Sequence, residues 1–489
     1  MAANVHSEGT ILRRGDRSHP SPWGRTLFLW LPVVLVLGVL VAATVVVGLD
    51  LGGQPDPSTE PAAVAPPSGL VLPTPLPAPA PAAAAPVRAP NPAAVRRALA
   101  APLRDAHLGP HVVAIVGSLT SPRAVFSSGA GTVAPASSLK LLTLTAALAT
   151  LGPSATFDTR VVRGATPRDL VLVGGGDPYL AAKPDPTGAS YPPPADLTTL
   201  AHRTATALAK AGVATVSLGY DDSLFSGPAF SPHWPAAYRT DSVITPISAL
   251  WVGRGVLADG LQRSADPSLD AARAFSAALT KAGIRVRSAP AHVRAAAAAP
   301  PVASVSSAPV DEIVQEILQV SDNEAAEVML RHVGLAVSHS GTFTAGVAGV
   351  AKTLAGLGVA VSTARLYDGS GLSRDDRVPA QALLDVLRLA GGDAHPELRP
   401  LVDGLPVAAF SGSLADRFGV GAEAGRGWVR AKTGTLTGTS ALAGFAQDAQ
   451  GALVPFVFVA DQVPTLDTLA ARVALDRAAA ALAACRCSS

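Results

Sequence analysis

The chain has 489 residues, 48% of them apolar and 15% charged, with a formal net charge of +2. That is enough apolar material for one or two folded domains with a substantial core. The near-balanced charge and the lack of a clustered Lys/Arg face argue against a nucleic-acid partner.

Residues 26–49 form an uncharged run of about 24 residues, long enough at about 1.5 Å per residue to cross a bilayer. Arg13, Arg14, Arg17 and Arg25 precede it and Asp50, Asp56 and Glu60 follow it. The positive-inside bias therefore makes residues 1–25 a cytoplasmic tail, residues 26–49 a transmembrane helix anchoring the protein to the cell membrane, and the remainder extracytoplasmic. The alternatives are a secretory signal cleaved near Val41-Ala42-Ala43, which would leave a secreted protein, and a buried core helix. Residues 50–92 read as a Pro/Ala-rich linker that cannot pack a core and favours extended polyproline II. At about 3.1 Å per residue it would hold a domain on the order of 100 Å from the membrane.

Residues 111–119 and 123–126 predict paired strands, rich in β-branched residues and separated by turn formers. Pro135 then suits the opening of a helix that runs to about residue 151. Ser137 would lie in its first turn and Lys140 one turn on, on the same face. From about residue 157 the pattern changes to strands at 161–162 and 170–173, a helix over 195–211 and a strand over 213–218, read as an inserted mixed α/β domain covering 156–305. Its Gly174-Gly175-Gly176-Asp177-Pro178 segment reads as a tight turn, since no Lys-Ser/Thr or helix start follows to make a phosphate cradle. Helices over 310–320 and 324–333 leave Ser321-Asp322-Asn323 on the loop between them. Strands over 428–432, 440–445 and 453–460 follow, so that Lys432 closes a strand. A last helix over 465–484 would lay Leu466, Leu469, Val473 and Leu475 on one face of that sheet. Cys485 and Cys487 are the only cysteines. One intervening residue is a poor span for a disulfide and two thiols cannot complete a zinc site. They read as structurally incidental, with a lipid or intermolecular link as the alternative.

Three short elements stand out. Only six lysines occur, and Lys140 alone has a serine three residues before it; Lys432 alone begins Lys-Thr-Gly; Asn323 alone has a serine two before it. Separately, Ser137 would be a helix cap, Lys432-Thr433-Gly434 a strand end, and Ser321-Asp322-Asn323 a cap leading into Glu324 and Glu327. Together and in this order they point to nucleophilic catalysis. A serine hydroxyl needs a base, and Lys140 supplies one only as a neutral amine, a state favoured by burial and by a second cation such as Lys432. Ser321 would relay the proton to a leaving amine, and Asn323 would orient a substrate amide. Backbone N–H groups of Ser137 and Thr435 would form an oxyanion hole. Lys432, Thr433 and Thr435 would bind a carboxylate, with Gly434 between the threonines. No histidine shows metal spacing and no G-x-S-x-G elbow is present, which rejects a Ser-His-Asp hydrolase and implies no cofactor.

These motifs resemble those of the serine β-lactamase and penicillin-binding protein superfamily. Asp368-Gly369-Ser370-Gly371-Leu372-Ser373-Arg374 is similar to the signature of its D-alanyl-D-alanine carboxypeptidase/endopeptidase branch, the class C low-molecular-mass penicillin-binding proteins. Gly176-Asp177-Pro178 and Ser411-Gly412-Ser413-Leu414 with Arg417 also resemble segments of that branch. The 184 positions from Ser137 to Ser321 match its large insertion. The likeness spans about residues 93–480. It implies an α+β fold, an antiparallel sheet flanked by helices with a helical lobe, built from residues 93–155 and 306–489 around the insert. It further implies a serine carboxypeptidase or endopeptidase acting on peptidoglycan stem peptides through an acyl-enzyme on Ser137, trapped by β-lactams at the same oxygen. One rival is a β-lactamase, against which no deacylating carboxylate is visible, Glu324 and Glu327 being better placed as first-turn helix residues. The other is a silent wall-binding protein on the same fold, against which the intact Ser137, Lys140, Ser321 and Lys432 argue. Asp368 and Ser370 read as turn builders, with direct substrate contact as the alternative.

Overall fold

The computed structural model describes residues 88–257 and 259–488. The expected tail and anchor and most of the expected linker lie outside the described residues, among which no helix is long and apolar enough to cross a membrane. Helix α1 (Pro92–Leu99) starts at Asn91, whose side chain accepts the N–H groups of Ala93 and Ala94 at 2.9 and 3.2 Å. Strands β1 (Val112–Val116) and β2 (Phe126–Ser128) pair antiparallel, and β3 (Thr132–Val133) leads toward α2 (Lys140–Leu151). The helix expected to open at Pro135 is instead a 3-10 turn over Ala136–Leu139 that runs into α2.

The chain then builds a second sheet from β4 (Asp158–Arg163), β5 (Asp169–Val173), α3 (Leu197–Lys210), β6 (Thr215–Asp221), α4 (Pro267–Lys281), β7 (Arg285–Val286), β8 (Ala291–His292) and β9 (Pro301–Ser306). Its strand order is β7-β6-β5-β4-β9, with β8 beside β6. The β5-α3-β6 and β6-α4-β7 units join parallel strands, which need such a crossover. The helices cover a core of their own that includes Leu172, Leu200, Val216, Leu218, Phe275 and Leu279. Because β4 and β9 pair antiparallel, with Asp158 opposite Ser306, the chain leaves and returns at one place.

Helices α5 (Val310–Val320), α6 (Asn323–Ser338) and α7 (Phe343–Gly356) follow, then β10 (Val378–Pro379), paired with β3, and α8 (Ala380–Gly391). The last segment is β11 (Val429–Leu436), β12 (Thr439–Gln447), β13 (Leu453–Ala460) and α9 (Thr468–Ala484). The principal sheet is antiparallel, in the order β11-β12-β13-β1-β2, so the molecule is α+β. Strand side chains alternate between faces, and here both faces are buried. Val113, Ile115, Ala441, Ala443, Phe445, Val457 and Val459 meet the layer of α2, α6 and α8. Ala114, Val116, Leu442, Val454, Phe456 and Phe458 meet α1 and α9.

Three expectations from sequence need correction here. Lys432-Thr433-Gly434 lies inside β11, which continues to Leu436; the turn at Thr437-Gly438, with Gly438 at φ 81°, ends the strand instead. On α9 it is Ala471, Ala474, Leu475, Ala478, Ala479 and Leu482 that are buried, whereas Leu466, Leu469 and Val473 are exposed. Small side chains let the helix approach the sheet closely, so the packing face is the alanine face. Cys485 and Cys487 are joined as a disulfide. Cys485 leaves α9 in an extended conformation, and the Cα atoms lie 5.1 Å apart, within the span a disulfide bridges.

This packing predicts unequal mutational costs. Ala479→Leu should overfill the α9 interface and cost about 1–3 kcal/mol, whereas Leu469→Ser should stay within about 0.5 kcal/mol of the parent. Urea unfolding measures both, and equal shifts would contradict the alanine face.

Candidate active site

Ser137 sits in the 3-10 turn ahead of α2, where side chains at i and i+3 eclipse one another. Lys140 Nζ consequently lies 3.0 Å from Ser137 Oγ. The preceding residue, Ala136, has φ 45°, a left-handed angle uncommon for a residue with a Cβ. Close packing holds it there: a Cβ on Gly371 would lie 1.9 Å from Ala136 O, and one on Gly434 would lie 2.7 Å from Pro135 O. The turn carrying Ser137 is thus pressed between β11 and the 368–374 segment, and glycine permits each contact. Ser138, the neighbouring hydroxyl, is buried and donates to Pro135 O at 2.6 Å, away from either lysine.

The Lys140 amine is fully buried. Besides Ser137 it meets Asn323 Oδ1 at 2.6 Å and Ser370 O at 2.9 Å. Both are acceptors, so a neutral amine gives its two N–H groups to them and keeps its lone pair for the Ser137 hydroxyl. Burial pushes the ammonium down to about 8 against the opposing pull of Glu327, Asp368, Asp322 and Glu324.

Helix α5 ends at Ser321, which adopts the left-handed conformation at φ 60° and reverses the chain into α6. Asp322 caps α6 by accepting the Ala325 N–H at 3.0 Å. Asn323, the first residue of α6, reaches Lys140, while Ser321 Oγ accepts from Lys432 Nζ at 2.8 Å. Two residues of one loop therefore hold the two amines. Lys432 lies opposite Ala443 on β12, and alternation puts it on the face toward α2 and α6. It is fully buried, gives a second N–H to Thr433 O at 2.9 Å, and has no carboxylate partner among the described residues. Burial, and then the charges of Lys140 and Arg417, hold it well below the usual lysine range. The repulsion between the two amines is mutual, so each disfavours the charged form of the other, as expected of Lys432 beside Lys140.

Thr433 is buried, with Oγ1 2.9 Å from Ser413 Oγ, and Thr435 is exposed at the open edge of the sheet. Ala431 donates its N–H outward to Pro406 O at 3.0 Å. Amides of an edge strand alternate in direction, so those of Thr433 and Thr435 leave the sheet on the same side. The N–H of Ser137 lies at the start of its turn, where no intrahelical acceptor exists.

Some functional geometry escaped the sequence reading. Glu327, read from sequence as a first-turn helix residue, is fully buried, and its two oxygens accept the N–H groups of Gly369 and Ser370 at 2.9 and 2.8 Å. Burial first, and then Asp368, push its carboxyl up to about 8. Its position four residues after Asn323, one turn along the same helix face, was the available signal. Asp368 builds the neighbouring turn by accepting from Gly371, Ser373 and Trp234 Nε1 at 2.8, 2.7 and 2.7 Å. The turn in turn presents Ser370 O to Lys140. Glu324 does lie in the first turn of α6, beside Arg263. In the 174–178 turn, glycine is required by close approach, since a Cβ on Gly175 would lie 2.1 Å from Asp158 O.

The arrangement can activate a hydroxyl, since the base accepts a proton only when neutral. Covalent capture of an activated acyl probe by Ser137 should therefore rise with pH through about 8 and level off above it. A stopped-flow rate that stays flat over roughly pH 6 to 9 would remove Lys140 from that role.

Comparison with known proteins gives concordant likenesses. The model of the D-Ala-D-Ala carboxypeptidase 3 (S13) family matches residues 95–263 and 258–482. Carboxypeptidase DacB of Mycolicibacterium smegmatis is 35% identical over 482 residues, covering 96% of this chain and 100% of that protein. The D-alanyl-D-alanine carboxypeptidase of Actinomadura sp. (strain R39) is 29% identical, covering 70% of this chain and 76% of its own. Among solved structures, penicillin binding protein 4 from Haemophilus influenzae superposes with a TM-score of 0.64 at 21% identity over 79% of this chain and 98% of that one, a likeness of fold.

Proposed function

Because the chain belongs to the D-Ala-D-Ala carboxypeptidase 3 (S13) family, we propose that its cleft hydrolyses the terminal D-Ala-D-Ala bond of peptidoglycan stem peptides by acyl transfer to Ser137. The observation that carries this reading is the buried Lys140 amine with both N–H groups spoken for and its remaining contact on Ser137 Oγ. Ser137 Oγ attacks the carbonyl of the penultimate residue while Lys140 takes its proton. The developing oxyanion is stabilised by the N–H groups of Ser137 and Thr435. Ser321 gives its hydroxyl proton to the leaving D-alanine nitrogen as the C–N bond breaks and recovers one from the Lys432 ammonium hydrogen-bonded to it, while the proton held by Lys140 returns to Ser137 Oγ when the ester is cleaved. Water then cleaves the ester and frees Ser137. The terminal carboxylate binds at Lys432, Thr433 and Thr435, and its negative charge favours the ammonium form of Lys432 once it arrives. Gly434 keeps the strand close to the Ser137 turn. A β-lactam acylates the same oxygen.

One observation weighs against rapid turnover of a β-lactam. Glu327, one turn along α6 from Asn323, is fully buried with each oxygen already accepting a backbone N–H, from Gly369 and Ser370, which keeps it away from bulk water. The outward charge pattern supports residues 26–49 as a single-pass anchor with the catalytic region extracytoplasmic, residues 50–92 acting as a stalk and residues 156–305 as an insert in the catalytic region.

Labelling with a fluorescent penicillin tests the assignment. Ser137→Ala should abolish the covalent label while leaving the melting temperature within a few degrees of the parent, and persistent labelling would place the nucleophile elsewhere. Lys140→Ala should slow acylation by about 10²–10⁴-fold; an unchanged rate would exclude it as base. D-Ala release from a pentapeptide, scored beside cleavage of a cross-linked muropeptide, separates carboxypeptidase from endopeptidase action.

A further inference from the structure

One short segment of the stretch between α2 and α5 delivers an arginine to the active-site loop. Gly253, Arg254 and Gly255 have successive left-handed angles, φ 55°, 57° and 67°. For Arg254, which carries a Cβ, this is a strained backbone state that persists only when its surroundings dictate it. They do so here: Gly253 N–H donates to Leu180 O at 2.9 Å, Thr245 Oγ1 donates to Arg254 O at 2.7 Å, and a Cβ on Gly255 would lie 2.3 Å from Thr245 Cγ2. The segment delivers the Arg254 guanidinium to Asp322 Oδ2, on a carboxylate whose side chain is wholly buried. Further along the same loop, Arg263 Nη2 lies 3.3 Å from Glu324 Oε1. Asn323 thus stands between two carboxylates, each held by an arginine from a single loop of the inserted stretch.

We propose that the ion pair between Arg254 and Asp322 is a positioning device for acyl transfer, fixing Ser321-Asp322-Asn323 so that Asn323 and Ser321 meet Lys140 and Lys432. This rests on the serine-peptidase reading above, and Arg254 acts through Asp322 without touching substrate. The geometry requires it to act on both amines together. Asp322 lies one residue from each contact, with Oδ1 tied to the Ala325 N–H and Oδ2 to Arg254. Releasing Oδ2 leaves a buried charge unpaired, which the loop relieves by shifting. A shift on the order of 1 Å in such a constellation costs about a hundredfold in rate.

The charged groups facing Lys140 are Asp322, Glu324 and Glu327 from α6 and its cap, Asp368 from the 368–374 turn, and Lys432 from β11. Removing Arg254 unmasks Asp322 and stabilises the Lys140 ammonium, so the rise of acylation with pH moves to higher pH. Removing the Asp322 charge moves it to lower pH. Charge alone accounts for these displacements; the plateau rate above the rise reports positioning, and a pair with a merely structural role would leave it unchanged.

The test is stopped-flow acylation of the full-length protein by fluorescent penicillin across pH. Arg254→Gln should lower the second-order rate constant by about 10–100-fold and displace the pH rise upward. Arg254→Lys, a point charge without the planar fork, should recover only part of the rate. Asp322→Asn, which keeps an acceptor for the Ala325 N–H, should displace the rise downward, and in the double variant the losses should be non-additive. Arg254→Gln acylating at the parental rate with an undisplaced profile overturns the proposal. If that variant does not fold, Asp322→Asn decides alone, and a parental plateau rate again overturns it. A parent protein that never acylates sinks the peptidase reading instead, and is distinguishable because no variant is then involved.

Discussion

The Lys140 amine, buried with no carboxylate within pairing distance among the described residues, is the constraint from which the cleft is organised. An ammonium in that place would be poorly solvated, and the surrounding dipoles are arranged for the neutral form: the side-chain oxygen of Asn323 and the backbone oxygen of Ser370 absorb its two hydrogens. Each of these partners needs its own support. Ser370 O is aimed by a turn whose amides are bound by Glu327 and Asp368, and Asn323 is aimed by the cap of α6. The nucleophile's own turn is wedged in place by glycine contacts at Gly371 and Gly434. The site is therefore a chain of supports converging on one nitrogen.

The principal sheet makes that convergence possible. With helices on both faces, its side chains sort strictly by alternation into two cores, and the same alternation directs Lys432 toward the layer that contains Lys140. The two amines arrive from elements far apart in sequence, and the single loop at Ser321–Asn323 spans the space between them. A loop residue in a left-handed state, Ser321, makes that span short enough to serve both. The inserted stretch with its own core then leans on this loop from outside.

The grouping of Ser137, Lys140 and Lys432 was legible in the sequence because residue type and spacing restrict it severely: few lysines occur, and Ser137 and Lys140 are separated by one turn. The helices at Val310–Val320 and beyond, and the C-terminal strands, were legible from apolar period. What escaped depended on three-dimensional burial. Glu327 looks like any acidic residue in a helix until the 368–374 turn is folded over it, and Arg254 is one of many arginines until Asp322 is seen beneath it. Leu466, Leu469 and Val473 misled because hydrophobicity favours leucine over alanine, whereas close helix-sheet approach favours alanine. Lys432 was misplaced at a strand end because Gly434 resembles a terminator, and its actual use is to let two backbones touch.

The pairing of β1 with β13 has a consequence for when this molecule becomes active. Val112 lies beside Ala460 in the finished sheet, and β11 and β12 are also late in the chain. During synthesis Ser137 and Lys140 emerge first, while Lys432 follows 292 positions after Lys140. Until the ribosome has passed the last strand, β1 has only β2 beside it and the crevice lacks the wall that β11 supplies. Latency is thus built into the topology: the nascent chain carries the Ser137 hydroxyl for most of translation without the strand that faces it.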